Sequence, residues 1–423
     1  MIVYIRPLEH EYASVQGPAM TAKIVYFAHD LADPAVHRRV RMLVAGGAVV
    51  TPIGFRRSAE APSAVEGLRP VDLGRTADGM LAKRMLSVAC SLVGLTSIAH
   101  HVGGANVILA RNLEMLVLAV RARRLYAREA AVVYECLDIH RMLLSNRLGE
   151  PLRLLESKLW REVDLLLTSS PAFIRHYFTP RGFPSPIRLV DNKVLIVGES
   201  DPGTTSVVRP PPGPPWRIGW FGMIRCRKSL AILSSLAEVT GGAVQIVIRG
   251  QPSGATFPDF DTVLAGLPRV RYAGPYRNPT DLPSIYGDVH FNWAIDYYER
   301  GQNSAWLLPN RLYEGSLYGT VPIALAGVET GRWLAERAAG VVLDEPLEQQ
   351  LVHFFRRLDR DGYATLVHGI EALPRTDLVS DQSDCRELVE ALCRSTAAAN
   401  VRALPGFDVE SIAVRPKSNR FGV

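Results

Sequence analysis

Between Arg209 and Trp216 the chain reads RPPPGPPW. Five prolines in six positions remove backbone donors and fix φ, so neither a helix nor a central strand can pass through, and the stretch is predicted to be a linker or hinge. What lies on each side must fold around its own core, and each side has about 200 residues with which to do so. With 48% hydrophobic and 21% charged residues in 423, the composition is that of a globular chain.

One pattern fills both sides. Before the linker, Lys23 to Ala28 (KIVYFA), Ala48 to Ile53, Asn106 to Ala110, Ala131 to Glu135 and Asp164 to Thr168 are predicted strands, and Val36 to Ala45 has helical spacing. After it, Trp216 to Phe221, Val244 to Ile248, Val270 to Tyr272, Val289 to Asn292, Val321 to Ala324 and Val341 to Leu343 repeat the strand pattern, with a helix at Ser229 to Val239. Continuously apolar strands separated by helices imply parallel sheets covered on both faces. The predicted fold is α/β: two Rossmann-like, doubly wound parallel-sheet domains facing across a cleft, with the site beyond the carboxyl ends of the strands. The expected division is an N-terminal extension (1–19), a first domain (20–205), the linker (206–216), a second domain (217–385) and a C-terminal helix and tail (386–423).

The formal charge of +6 is unevenly placed: Met20 to Ser200 carries 24 Lys and Arg against 16 Asp and Glu. The clusters His37, Arg38, Arg39 and Arg41, then Arg121, Arg123, Arg124 and Arg128, would draw the first domain to a polyanion, unless they are solvated helix faces. A membrane surface or a pyrophosphate-linked acceptor suits this charge. Nucleic acid does so less well, since no zinc-finger, RNP-type or helix-turn-helix pattern is present. The apolar stretch Met85 to Ala99 is shorter than a bilayer span and reads as a buried or interfacial helix. The first nineteen residues lack the pattern of a signal peptide, and five scattered cysteines (Cys90, Cys136, Cys226, Cys385, Cys393) fit a reducing compartment, so a cytoplasmic location is expected.

Walker A, strand-linked GxGxxG and GxSxG sequences are absent, which argues against an NTPase, a simple dinucleotide enzyme and an α/β-hydrolase. The Asp259/Asp261 and Asp359/Asp361 pairs have DxD spacing, but neither closes an apolar strand, so both read as solvated pairs and no metal site is expected.

Five stretches carry candidate chemistry. In LPNRLYEGSLYGTVP (Leu308 to Pro322), a helix starting after Pro309 sets Asn310, Arg311 and Glu314 on its first turns. A carboxylate there can accept both hydroxyls of a vicinal diol, or simply pair with Arg311 three residues away. GWFGMIRCRK (Gly219 to Lys228) runs a strand into a loop with Gly222 and the cations Arg225 and Lys228, which suit an anionic group or are solvated. VQIVIRG ends on Arg249 and Gly250 and VRYAGPY on Tyr276, strand ends where backbone can meet a base. YECLDIHR (Tyr134 to Arg141) offers Asp138 and His140 as acid/base groups, with a structural role for His140 equally open.

These stretches resemble the bacterial GT-B glycosyltransferases, particularly the retaining-type, exopolysaccharide-biosynthesis group (family 4-like), from about Met20 onward and most closely in the second half. The resemblance implies a nucleotide-sugar donor, Glu314 as ribose ligand, Arg225 and Lys228 neutralising the leaving diphosphate, and no metal or other cofactor. It further implies donor contacts from Gly222, Arg249, Gly250, Tyr276, Asn303, Ser304, Asn310 and Arg311, catalytic Asp138 and His140, and acceptor contacts from His29, Asp30, Arg111 and Asn112. Many relatives carry a second glutamate eight residues before this one; Trp306 stands there, leaving Asp296 or Glu299 as substitutes, with Gln302 beside them. The expected reaction is sugar transfer to a lipid-linked, polyprenyl-diphosphate saccharide at the inner membrane leaflet. A nucleotide-sugar epimerase and a catalytically silent GT-B scaffold subunit are the alternatives.

Overall fold

The protein is described from a computed structural model, which covers residues 21–60, 62–76, 87–88, 90–92, 94–145, 149–198 and 209–403, with side chains to 395. The expected extension 1–19, residues 85, 86, 89 and 93 of the stretch Met85 to Ala99, the first residues of the linker and the tail beyond 403 lie outside these residues.

Seven parallel strands form the first sheet: β1 (Lys23–Ala28), β2 (Val49–Arg56), β3 (Val71–Arg75), β4 (Val107–Arg111), β5 (Ala131–Cys136), β6 (Leu165–Thr168) and β7 (Ile187–Leu189), in the order 3-2-1-4-5-6-7. Its central strands are buried on both faces. Val25 and Phe27 pack with Ile108 and Met115, while Ile24, Tyr26 and Ala28 pack on the opposite side with Val40 and Leu43 of helix α1 (Pro34–Ala45). This is the pattern that a parallel sheet with crossover helices imposes. Asp33 begins α1 by accepting from the Ala35 N–H at 2.8 Å, and Pro34 supplies the fixed φ of a first helical position.

After a short pair of residues, β8 (Val194–Leu195), the second sheet follows: β9 (Trp216–Ile224), β10 (Val244–Pro252), β11 (Val270–Tyr272), β12 (Phe291–Trp293), β13 (Val321–Leu325) and β14 (Val341–Leu343), also parallel, in the order 11-10-9-12-13-14. Its core is aromatic, with Trp216, Trp220, Trp293 and Phe291 fully buried. The two sheets face each other in the GT-B arrangement expected from the sequence.

The last helix, Gln382–Ala403, leaves the second sheet and returns to the first. Cys385, Leu388, Val389 and Leu392 join Tyr26, Val40 and Leu43 in one core, which the stretch 382–395 therefore shares with the first domain. Val379 and Ser380, just before it, pair with Val194 and Leu195 beside the crossing. Among the described residues, no helix is long and apolar enough to cross a membrane. Of the apolar stretch Met85 to Ala99, Leu95 and Ile98 are buried in the first core.

Candidate functional site

Both sheets change direction at one place, between β1 and β4 in the first and between β9 and β12 in the second. Strand ends diverge at such switch points and leave a crevice. His29 follows β1, Asn112 follows β4, Asp138 and His140 follow β5, Arg225 follows β9, and Tyr298 and Glu299 follow β12; all line one cavity of about 310 Å³ between the domains. Arg57 and Asn303 also line it.

Asp138 is an acid displaced upward from its ordinary pKa. Recess between the domains lifts its pKa to about 6, against the pull of Arg225 and Arg111 and with Glu299 and Asp33 adding to the rise. The residue itself opens onto cleft solvent, which tempers the shift without reversing it. Arg225 Nη2 holds Asp296 at 3.2 Å, and its guanidinium lies over the Tyr298 ring at 4.9 Å. Asp296 is thus occupied by Arg225 and by the Tyr298 N–H, whereas Glu299 faces the cavity. Glu299 accepts from Asn303 at 2.7 Å, and its N–H donates to Ser304 Oγ at 2.9 Å. His140 accepts from the Met142 N–H through Nδ1 at 3.3 Å.

Other predicted site residues fall elsewhere. Arg111, expected at the acceptor, points into the first domain, where it meets Glu135 Oε2 and the Tyr26 hydroxyl, each at 3.4 Å. With Arg39 Nε at 2.6 Å from Glu135 Oε1, these groups form a buried cluster beneath the cleft floor. Burial alone would raise the Glu135 pKa, but Arg39 and Arg111 hold it below the ordinary value. Asp30 caps the Ala32 N–H at 3.1 Å and meets Arg57 at 3.3 Å. Lys228 lines neither this cavity nor the next; its ammonium lies over Tyr297 at 4.1 Å and 4.0 Å from Glu345. Arg249 Nε is buried without a hydrogen-bond partner among the described atoms. Gly250 (φ +129°) is demanded by packing, since a Cβ there would sit 1.9 Å from the Gly222 carbonyl oxygen; Gly222 (φ +108°) has open space around it.

Glu314 lines a second interdomain cavity of about 390 Å³, together with Asn278, Asn310, Arg38 and Lys193. It does not pair with Arg311, which instead reaches the Ile295 carbonyl at 3.3 Å. Its two oxygens accept from Asn278 Nδ2 at 2.8 Å and the Tyr286 hydroxyl at 2.9 Å, and burial raises its pKa against those two bonds. Tyr276 packs half-buried beside this group against Phe221 and Tyr286. Neither Asn278 nor Tyr286 was singled out by the sequence, because nothing local marks a residue about thirty positions away as a carboxylate's support.

Trp306 explains why no acid stands at its position. Its ring stacks on His176 at 5.6 Å and meets Phe173 edge-on, both from the first domain, so the side chain seals the domain contact. Asp259 lies exposed, 3.8 Å from Arg227, and Asp359 caps a helix through the Gly362 N–H at 2.8 Å. Of the second basic cluster, Arg123 and Arg124 converge on Glu162 while Arg121 is exposed.

No protein-family model matches the sequence. The structure is similar to HepE of Anabaena solved in complex with UDP, with a TM-score of 0.62 at 13% identity over 88% of this chain and 100% of that one. It is also similar to sucrose-phosphate synthase from Thermosynechococcus elongatus, with a TM-score of 0.66 at 14% identity over 89% of this chain and 100% of that one. In sequence it is 48% identical over 381 residues, 89% of this chain and 94% of the relative, to the succinoglycan biosynthesis protein ExoL of Rhizobium meliloti (strain 1021). Identity of that order along nearly the whole length shows common descent, and the chain belongs to the ExoL family, built on the GT-B glycosyltransferase fold.

Proposed function

We propose that the protein is a glycosyltransferase of bacterial exopolysaccharide assembly, moving a sugar from a nucleotide-sugar to a lipid-linked, polyprenyl-diphosphate saccharide. One observation carries this reading: a single cavity at the switch points of both sheets sets Asp138 and His140 of one domain against Arg225 and Glu299 of the other. A transferase needs that division of labour. Asp138, as carboxylate, accepts or orients the acceptor proton, while Arg225 meets the negative charge that grows on the departing diphosphate. Glu299, oriented by Asn303, is placed to accept sugar hydroxyls, and Glu314 accepts from the ribose diol with Asn278 and Tyr286 holding it in place. In this reading side-chain cations serve the leaving group and no metal takes part.

The membrane and the location belong to the same proposal. The ExoL relative is named for succinoglycan biosynthesis, and an acceptor carried on a lipid would bring the enzyme to the cytoplasmic face of the inner membrane. The exposed Arg121 on a basic first domain suits an anionic leaflet.

Thermal-shift measurement against nucleoside diphosphates and nucleotide-sugars, followed by transfer assays with and without a lipid-linked saccharide, tests this. A rise in Tm with one donor and product only when acceptor is present are expected. Turnover of donor without acceptor would instead mark an epimerase. Absence of any nucleotide binding would mark a scaffold subunit.

A further inference from the structure

The basic cluster at the start of α1 is the motif that the transfer chemistry leaves unused. Three of its four side chains are spent. His37 reaches Glu66 at 3.1 Å and the Leu31 carbonyl at 3.0 Å, Arg39 holds Glu135, and Arg41 grips both oxygens of Glu66 at 2.8 and 3.0 Å. Among the described residues Arg38 makes no ion pair; its Nη2 donates to the Lys193 carbonyl at 2.5 Å. Lys193 in turn approaches Asp191 only at 3.8 Å. Both cations line the second interdomain cavity.

The Arg38 guanidinium is recessed in the cleft with no ion pair among the described residues, so the Lys193 carbonyl and the more distant Glu135 and Glu314 carboxylates are what offset its lost hydration. Burial lowers the Arg38 pKa to about 10, and neighbouring Arg39 adds to the fall. An anion in the cavity would reverse that loss. The opposite wall is different in kind, because Glu314 with Asn278 and Asn310 offers a carboxylate and two amides, which suit hydroxyl groups, and the carboxylate disfavours a phosphate beside it. The cavity is therefore polarised, with a hydroxyl-reading wall on the second domain and a cationic wall on the first. Its volume of about 390 Å³ is that of a small-molecule site.

We propose that Arg38, with Lys193 beside it, binds the diphosphate of the nucleotide whose ribose Glu314 holds, so that the two domains each supply half of the nucleotide site. The inference rests on the reading of Glu314 given above. The matching ligand carries a hydroxylated ring at one end and a diphosphate at the other, as a nucleoside diphosphate does. Leu137 lines this cavity and Asp138 and Ile139 line the first, so the two adjoin at the segment 137–139. The nucleoside occupies the second cavity, and the diphosphate runs from Arg38 and Lys193 there to Arg225 in the first, where the transferred sugar meets Asp138. Because Arg38 and Glu314 belong to different domains, the nucleotide is gripped from both sides only while the cleft is closed, and its departure loosens that closure.

Calorimetric titration of the full-length protein with nucleosides and with the corresponding nucleoside diphosphates tests the assignment. The variants are Arg38→Gln, Lys193→Gln and Glu314→Gln, each checked for an unchanged Tm. Arg38→Gln is expected to weaken nucleoside diphosphate binding by about tenfold or more, to flatten its salt dependence, and to leave nucleoside binding unchanged. Arg38→Lys should recover part of the loss, Lys193→Gln should show the same selectivity with a smaller loss, and Glu314→Gln should weaken nucleoside and nucleoside diphosphate alike. If Arg38→Gln binds nucleoside diphosphates as the wild type does, or loses nucleosides equally, the assignment is overturned. An effect confined to the KM of a polyprenyl-diphosphate acceptor would also overturn it, by giving the cations to the acceptor's diphosphate. A wild-type protein that binds no nucleoside diphosphate would defeat the glycosyltransferase reading itself.

Discussion

The side-chain amide of Asn303 and the backbone of Ile139 pair twice: Nδ2 donates to the Ile139 carbonyl at 2.7 Å, and Oδ1 accepts from the Ile139 N–H at 3.0 Å. The two residues are 164 positions apart and belong to different domains. Ile139 lies between Asp138 and His140, and Asn303 Nδ2 also donates to Glu299. One amide therefore fixes the acid/base segment of the first domain against the cavity-facing carboxylate of the second.

Replacing Asn303 with Ala should strand the Ile139 N–H and carbonyl in the domain contact, at about 1–3 kcal/mol for each unsatisfied group. The bonds form only across the cleft, so this cost falls on closure more than on either domain. We expect kcat/KM to fall by about tenfold or more with Tm changed little. A collapse of Tm with unchanged kinetics in the folded fraction would contradict this.

The pH dependence should report Asp138. If its carboxylate takes the acceptor proton, kcat/KM rises with pH through about 6 and then levels. Arg225 lowers this pKa, so Arg225→Gln should move the acidic limb to higher pH. Stability runs the other way. The folded pKa lies above the ordinary value of 3.8, so the contribution of protonated Asp138 is full below that value and is lost as pH rises through about 6. A pH–rate profile of the variant that overlays the wild type would remove Asp138 from this role.

Glu135→Gln should destabilise the first domain by about 3–5 kcal/mol, because Arg39 and Arg111 would remain buried without their shared counter-charge. The depressed carboxylate pKa makes the wild-type contribution full above the ordinary value of 4.5 and lost as pH falls below it. Urea titrations at several pH values should show this acid sensitivity in the wild type and a weaker one in the variant.

Gly250→Ala should cost more than about 1 kcal/mol, since it combines a positive φ with a Cβ placed inside the Gly222 carbonyl. Gly222→Ala meets open space and carries the φ penalty alone, so it should cost less. Urea midpoints in the reverse order would mean that the strands β9 and β10 can separate locally.

The sequence showed strands through short runs rich in β-branched and aromatic residues, at the centre of a sheet and at its edge alike. Val270 to Tyr272 and Val341 to Leu343 match the observed strands end for end, and Lys23 to Ala28 does as well. The two edge strands of the first sheet were missed: Val71–Arg75 alternates polar and apolar residues around a glycine, and Ile187–Leu189 is short and half-exposed. In the site, Asp138, Arg225 and Glu314 were legible because each ends a strand or opens a helix beside a recognisable turn. Tyr286, Asn278 and the double bond from Asn303 to Ile139 were not, since their roles depend on partners supplied by distant segments.

By itself the amino-acid order determined two α/β halves, a proline-stiffened break between them and a carboxylate at the start of one helix. These follow from neighbours in the chain, through apolar spacing and fixed φ. Folding alone decided which of the three arginines at 38, 39 and 41 would lack an ion pair among the described residues, why an indole stands in place of an acid, and how the last helix returns to the first sheet. Arg39 and Arg38 are chemically alike and consecutive, yet one is neutralised by Glu135, 96 residues away, and the other faces a cavity closed by Glu314. Charge compensation is set by distance in space, and a sequence records only distance along the chain.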